Sequence, residues 1–291
     1  MKSISPICFG CEPLGGTDWG DVDLVSIEKA IHKALDLGIN FFDTAGVYGL
    51  GLSEERLSKI LGNRRHDVII ATKGGLSWKE SRTVRSVVIK DSSPIAIRKD
   101  VESSLVRLRL ECLPIFFVHW PDINTPIEDT FIELLKLKKE GKIKTIGCSN
   151  FSAQQLKRAC LISKIDYVQL PINILNTSLD KNIAEICKKN KIQIVAYNVL
   201  LNGLLTGKFN RNTNFQENDR RSRLPLFRGI NFIDVLEKVE NLKLKAAENN
   251  SNITNYAINW VLKQKNICSV VIGIKNSEQI AENYSIITDR I

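Results

Sequence analysis

The chain has 291 residues, 43% of them hydrophobic, which is ample for a sizeable buried core. Its 41 Lys and Arg outnumber 32 Asp and Glu, and the net charge of +9 demands either an anionic ligand or a lysine-rich solvated surface. No apolar run approaches the roughly 20 residues needed to span a membrane, and the opening MKSISPICFG lacks the apolar segment of a secretory signal, so the expected compartment is the cytoplasm.

In chain order, Pro6 to Gly10 reads as a short first strand. Cys8 and Cys11 form a C-x-x-C there, but no second pair accompanies it. The seven cysteines are odd in number and scattered, as suits reduced thiols, and no metal is expected. Val22 to Leu37 repeats apolar residues at helical spacing and stops at Gly38, after which Ile39, Phe41 and Phe42 form a strand ending at Asp43. A helix from Ser53 to Leu61, with Glu54 and Glu55 in its first turn, precedes the strand Val68 to Thr72, which runs into Lys73. Gly74 to Ser93 reads as a long loop, a candidate lid or pocket wall.

Ser93-Pro94 opens a helix spaced through Ile97, Val101, Leu105 and Leu108. The strand Pro114 to Val118 runs into His119. A helix from Glu128 to Glu140 stops at Gly141, before the strand Ile143 to Gly147 and a capped helix from Ser152. Then come the strand Tyr167 to Leu170, a helix through Ile186 and the strand Ile192 to Ala196. A basic, non-periodic segment follows, in which Lys208, Arg211, Arg220, Arg221, Arg223 and Arg228 outnumber Glu217 and Asp219. Helices near Phe232 to Ala247 and Ile253 to Gln264, the strand Ser269 to Ile272 and a helix from Ser277 close the series.

Length alone leans toward two small domains, but the unbroken alternation favours one, residues 1–291. Eight strands, each followed by helix, predict a single (β/α)8 TIM barrel. An open dinucleotide-binding sheet would need a Gly-x-Gly-x-x-Gly turn after an early strand, and the sequence has none.

Asp43, Tyr48, Lys73 and His119 thus gather around three consecutive strand ends, where such a barrel keeps its chemistry. At about 4 Å a lysine charge would favour a phenolate by about 4 kcal/mol, bringing Tyr48 toward neutrality as a proton donor. Asp43 is the counter-ion that keeps a buried Lys73 charged. His119 completes a site that protonates a carbonyl oxygen. No nucleophile is among the four, so hydride from a nicotinamide is the natural attacker. Trp19, Trp78 and Trp120 follow the first, third and fourth strands as candidate pocket walls, whereas Trp260 has core spacing. Nucleic acid is not an expected partner, because the basic segment lacks interleaved aromatics and any recognised module.

From about Gly10 to Asn283 the chain resembles the aldo-keto reductase superfamily, through GINFFDTAGVYGLGLSEERL, FVHWPD and IEDTFIELLKLKKEGKIKTIGCSNF. The resemblance implies an NAD(P)H-dependent enzyme with Tyr48 as general acid, tuned by Asp43 and Lys73, and His119 positioning the carbonyl. It further implies that Ser149, Asn150 and Gln169 hold the nicotinamide carboxamide and that Tyr197 stacks on its ring. Through NVLLNGLLTGKF it assigns Leu200, Gly203, Leu205 and Lys208 to the pyrophosphate. Through IGIKNSEQIAEN it assigns Gly273, Lys275, Gln279 and Asn283 to the adenosine phosphate. A cation at Lys275 suits NADP(H), with NAD(H) possible, and the basic segment would lie over the cofactor.

The chain departs from that pattern at Asn198 and Val199, at Ile272, and at Ile274, which offers no hydroxyl to a phosphate. It also ends eight residues after Asn283, so the pocket is expected to be open on that side. The implied substrate is a small or sugar-like aldehyde or ketone. The alternative is a regulatory protein that binds the cofactor on the same fold with little turnover.

Overall fold

In the computed structural model, which describes residues 3–78, 87–176 and 179–288, the apolar runs become strands buried along nearly their whole length. In chain order they are β1 (Ile7–Gly10), β2 (Phe41–Asp43), β3 (Ile69–Gly74), β4 (Leu76–Trp78), β5 (Val88–Lys90), β6 (Leu113–Val118), β7 (Ile143–Ser149), β8 (Tyr167–Pro171), β9 (Gln193–Tyr197) and β10 (Ile267–Gly273). All but β4 and β5 close into a barrel in the order β1-β10-β9-β8-β7-β6-β3-β2, every pairing parallel. The helices α1 (Leu24–Asp36), α2 (Leu52–Leu61), α3 (Pro94–Leu108), α4 (Ile127–Lys139), α5 (Ala153–Ile162), α6 (Lys181–Asn190), α7 (Gly229–Glu248), α8 (Ile253–Leu262) and α9 (Ser277–Thr288) connect the strands. The fold is the (β/α)8 barrel that the sequence predicts.

Local chemistry sets the element ends. Asp23 caps α1 by accepting the Val25 N–H at 2.9 Å, so that helix begins at Leu24 rather than at Val22. Ser152 and Gln155 form a reciprocal capping box at α5. The expected loop after Lys73 is a correction: Leu76–Trp78 pairs antiparallel with Val88–Lys90, so its root is a hairpin. Residues 79–86 of that expected lid lie outside the described residues. No helix among the described residues is long and apolar enough to cross a membrane.

Alternation along the strands decides what fills the barrel and what stands at its mouth. Cys8, Phe41, Ile69, Ala71, Ile115, Phe117, Tyr167 and Val195 form one buried cluster inside it. Two residues further along their strands, the same face carries Gly10, Asp43, Lys73, His119, Gln169 and Tyr197. Because all eight strands run parallel, these positions meet at one mouth. Gly147 keeps that interior open to Phe117, since a Cβ there would lie 2.4 Å from the phenylalanine ring.

Candidate active site

Lys73 is the hub of the mouth. Its ammonium carries three hydrogens, and it donates to Asp43 Oδ1 at 2.5 Å, Thr44 O at 3.0 Å and Tyr48 Oη at 3.3 Å. The second Asp43 oxygen accepts from Gln169 Nε2 at 2.6 Å. Lys73 and Asp43 are both buried, at 2% and 3% exposure, so neither charge would persist without the other. Burial alone works to discharge Lys73, but attraction to Asp43, and then to Tyr48, reverses this and holds the ammonium charged.

Tyr48 departs from the sequence expectation. Burial pushes its phenol well above the ordinary value; Lys73 pulls it down, but only in part, while Glu12 and Asp43 push it up. The pull of Lys73 is the strongest opposing effect, yet the loss of water around the phenolate exceeds it. Tyr48 is therefore protonated at neutrality. The His119 ring meets Tyr48 edge-on, with centroids 5.9 Å apart, and its backbone N–H donates to Gly74 O at 3.0 Å.

A second network adjoins the first. Asn150, in the left-handed region at φ 63°, donates from Nδ2 to His119 O and Ser149 Oγ, each at 3.0 Å. Its Oδ1 accepts from Tyr197 Oη at 2.6 Å. Ser149, Asn150, Gln169 and Tyr197 therefore lie together. Gln169 is committed to Asp43, a partnership that the sequence reading missed.

Around the edge of the mouth, cations crowd. Lys208 Nζ and Arg221 Cζ both lie over the Phe209 ring, at 5.3 and 5.4 Å from its centroid. Arg221 and Lys275 both lie 5.7 Å from the Trp19 ring, and Lys275 Nζ also donates to Trp19 O at 2.8 Å. Burial first, and the Arg221 charge second, hold both lysines below their ordinary pKa, with Asp219 opposing. Phosphate oxygens suit such a cluster, because they would relieve the repulsion.

Gln279 Oε1 accepts the Lys275 N–H at 2.8 Å, Asn283 is buried, and a Cβ added at Gly273 would meet nothing within 4 Å. In the preceding loop, Leu200 O accepts from Gly203 N at 2.9 Å and Leu205 N at 3.1 Å. The Leu205 side chain is wholly buried with Val239 and Leu242.

The basic segment is fastened across this edge. Trp19 and Asp219 form an antiparallel bridge, Asp18 O accepts the Arg220 N–H at 2.9 Å, and Arg223 pairs with Asp18. Asn218 reaches Asp21 at 3.2 Å. The three candidate tryptophans part company here. Trp78 packs with Ala45, Val47 and Tyr48, and Trp19 belongs to the cationic edge. Trp120 is exposed beneath Lys90. All seven cysteines are free thiols, and no group of metal-ligating side chains gathers among the described residues.

A parallel eight-stranded barrel with a buried Lys-Asp pair at its C-terminal strand ends defines a TIM-barrel protein, a fold that keeps active sites at that mouth. The Aldo/keto reductase family model matches residues 6–289, and the chain belongs to that family. Aldo-keto reductase YhdN of Bacillus subtilis is 34% identical over 95% of this chain and 83% of its own length. The NADH-specific methylglyoxal reductase of Escherichia coli is 32% identical over 92% of this chain and 85% of its own. The structure of the glycerol dehydrogenase AKR11B4 from Gluconobacter oxydans superposes with a TM-score of 0.89 at 36% identity, covering 98% of this chain and 88% of that one.

Proposed function

We propose that the chain, acting as one barrel domain in the cytoplasm, reversibly reduces the carbonyl of a small or sugar-like aldehyde or ketone, using NADPH in preference to NADH. The observation that carries the reading is the triply bonded Lys73, whose ammonium joins the Asp43 carboxylate to the Tyr48 hydroxyl. Bound at this mouth, the nicotinamide supplies the hydride. Tyr48 gives its proton to the carbonyl oxygen, and Lys73 stabilises the phenolate left behind. Asp43, held by Gln169, keeps Lys73 charged throughout. His119 donates a hydrogen bond that orients the carbonyl oxygen.

Ser149, Asn150 and Tyr197 hold the nicotinamide end. Lys208, Arg221 and Lys275 hold the phosphates, and the cation surplus favours the extra phosphate of NADP(H). Carbonyl-alcohol chemistry is supported in kind by relatives named a methylglyoxal reductase and a glycerol dehydrogenase, whereas the former is named NADH-specific, so the preference for NADPH rests on the cation surplus alone.

The decisive experiment compares native protein with Tyr48→Phe in dinucleotide titration and in carbonyl reduction. Dinucleotide affinity stays within about twofold, while kcat falls roughly 10²–10⁴-fold. Equal turnover by the two proteins would overturn the role of Tyr48. Absence of dinucleotide binding to native protein would overturn hydride transfer altogether.

A further inference from the structure

An ion pair at the mouth has no part in the mechanism above. Glu12 opens the 3-10 turn Glu12–Gly15 directly after β1. That turn abuts the candidate acid, because a Cβ at Gly15 would lie 2.9 Å from the backbone of Tyr48. From the opposite side, Arg220 in the basic segment donates from Nη1 to Glu12 Oε1 at 2.9 Å, with the two side chains 30% and 26% exposed. The Glu12 charge acts on both Tyr48 and Tyr197, and the Arg220 charge on Tyr197, so the pair lies within electrostatic reach of both aromatic residues.

The pair is not saturated. Arg220 Nε and Trp19 Nε1 are buried without a hydrogen-bond partner among the described residues. They are neighbours, since the guanidinium carbon lies 5.7 Å from the Trp19 ring centroid. Buried donors left unmade cost stability, which is a reason for a ligand to supply the acceptor. Glu12, meanwhile, has acceptor capacity beyond its one bond to Arg220.

We propose that Glu12 and Arg220, with Trp19, form the substrate-reading wall of the site and select carbonyl compounds that carry a neighbouring hydroxyl group. The inference rests on the carbonyl-reductase reading and names the substrate class of that same site. A hydroxyl is a small neutral group that can both accept from Arg220 or Trp19 and donate to Glu12. An alkyl chain would leave the donors unmade. A carboxylate would meet the negative charge of Glu12 and would have to displace it from Arg220. The charged pair thus discriminates against both alternatives.

The test measures kcat/KM for D-glyceraldehyde and propanal, which share a three-carbon frame, and for succinic semialdehyde as the carboxylated probe. Native protein, Arg220→Met and the gentler Glu12→Gln are compared. The change in the glyceraldehyde-to-propanal ratio on substitution is the readout, because it cancels the intrinsic reactivity of each aldehyde. Arg220→Met lowers that ratio by roughly tenfold or more, chiefly through KM for glyceraldehyde. Glu12→Gln lowers it severalfold and improves succinic semialdehyde relative to glyceraldehyde.

Ratios within twofold of native in both variants overturn the proposal, as does native preference for succinic semialdehyde. A raised dinucleotide Kd in Arg220→Met with an unchanged ratio also overturns it, by moving the pair to cofactor binding. Native protein that reduces glyceraldehyde and propanal while the ratio ignores both substitutions defeats only this inference. Native protein that reduces no carbonyl defeats the reductase reading and this one with it.

Discussion

At the scale of single residues, the tension lies in one phenol held by two opposed effects. A free lysine charge at the Lys73–Tyr48 distance of 3.3 Å would acidify Tyr48, yet burial wins and the phenol is pushed up. Lys73 remains the strongest downward pull, ahead of the upward pushes of Glu12 and Asp43, and burial alone outranks it. This fixes the sign of a pH dependence. Reduction needs the protonated phenol, which persists at every pH below its raised value and is lost only as pH climbs through that value. The pH profile of kcat for carbonyl reduction should therefore be flat on its alkaline side from pH 6 to 9. A fall centred near pH 7 that disappears in Tyr48→Phe would mean that the lysine dominates after all.

Asp43, Lys73 and His119 were legible because each ends an apolar run. Gln169 as the partner of Asp43 was not, since the two are 126 residues apart, and neither was the pairing of Arg220 with Glu12, which are 208 apart. An acid directly after the first strand is the signal that reading every strand end for charge would have caught.

At the scale of elements, the barrel was legible for a simple reason: buried parallel strands read as continuous apolar runs, and this chain has eight. The hairpin β4–β5 was not, because its strands are three residues each and only partly buried. Its root is set by groups that no pattern announces. Asp100 of α3 accepts the Gly75 N–H at 2.7 Å, while Glu54 of α2 is wholly buried between Thr72 and Arg107.

Burial first, with the nearby Glu54 charge, raises the Asp100 carboxyl to about 6, against the pull of Gly75 and Arg107. The folded state therefore favours the protonated acid, and this contribution to stability is lost as pH rises from the ordinary carboxylate value through about 6. Asp100→Asn keeps an acceptor for Gly75 without the charge. It should raise the melting temperature by an amount corresponding to about 1 kcal/mol at pH 8, by roughly half as much at pH 5, and by little below the ordinary carboxylate value. A destabilised variant at pH 8 would show that the carboxylate charge, rather than its shape, holds the hairpin root.

At the scale of the whole molecule, the net charge of +9 is unevenly used. The acidic partners at the mouth are taken: Asp43 by Lys73, Glu12 by Arg220, Asp18 by Arg223 and Asp219 by Arg221. Lys208 and Lys275 stand beside Arg221 with their pKa values lowered, a crowding of like charge that the fold tolerates where the dinucleotide phosphates are proposed to bind. Because the barrel is closed and parallel, the loops after β9 and β10 deliver these cations to one edge, where the loop after β1 sets the Trp19 ring against Arg221 and Lys275. A sequence reading finds each lysine but not their convergence.

The consequence is a ligand whose affinity depends on salt. Over a Debye length of about 10 Å at 0.1 M ionic strength, the partly buried cluster acts on each phosphate, and the 2′-phosphate of NADPH adds charge that NADH lacks. Raising sodium chloride from about 50 to 500 mM should weaken NADPH binding by roughly tenfold and NADH binding by clearly less. Lys275→Met should draw the two salt dependences together and narrow the preference for NADPH, as read by nicotinamide fluorescence. Identical salt slopes for the two dinucleotides in native protein would mean that the cation cluster does not meet the extra phosphate. The positive edge would then serve the pyrophosphate common to both, and the preference for NADPH would fall while hydride transfer at Tyr48 stood.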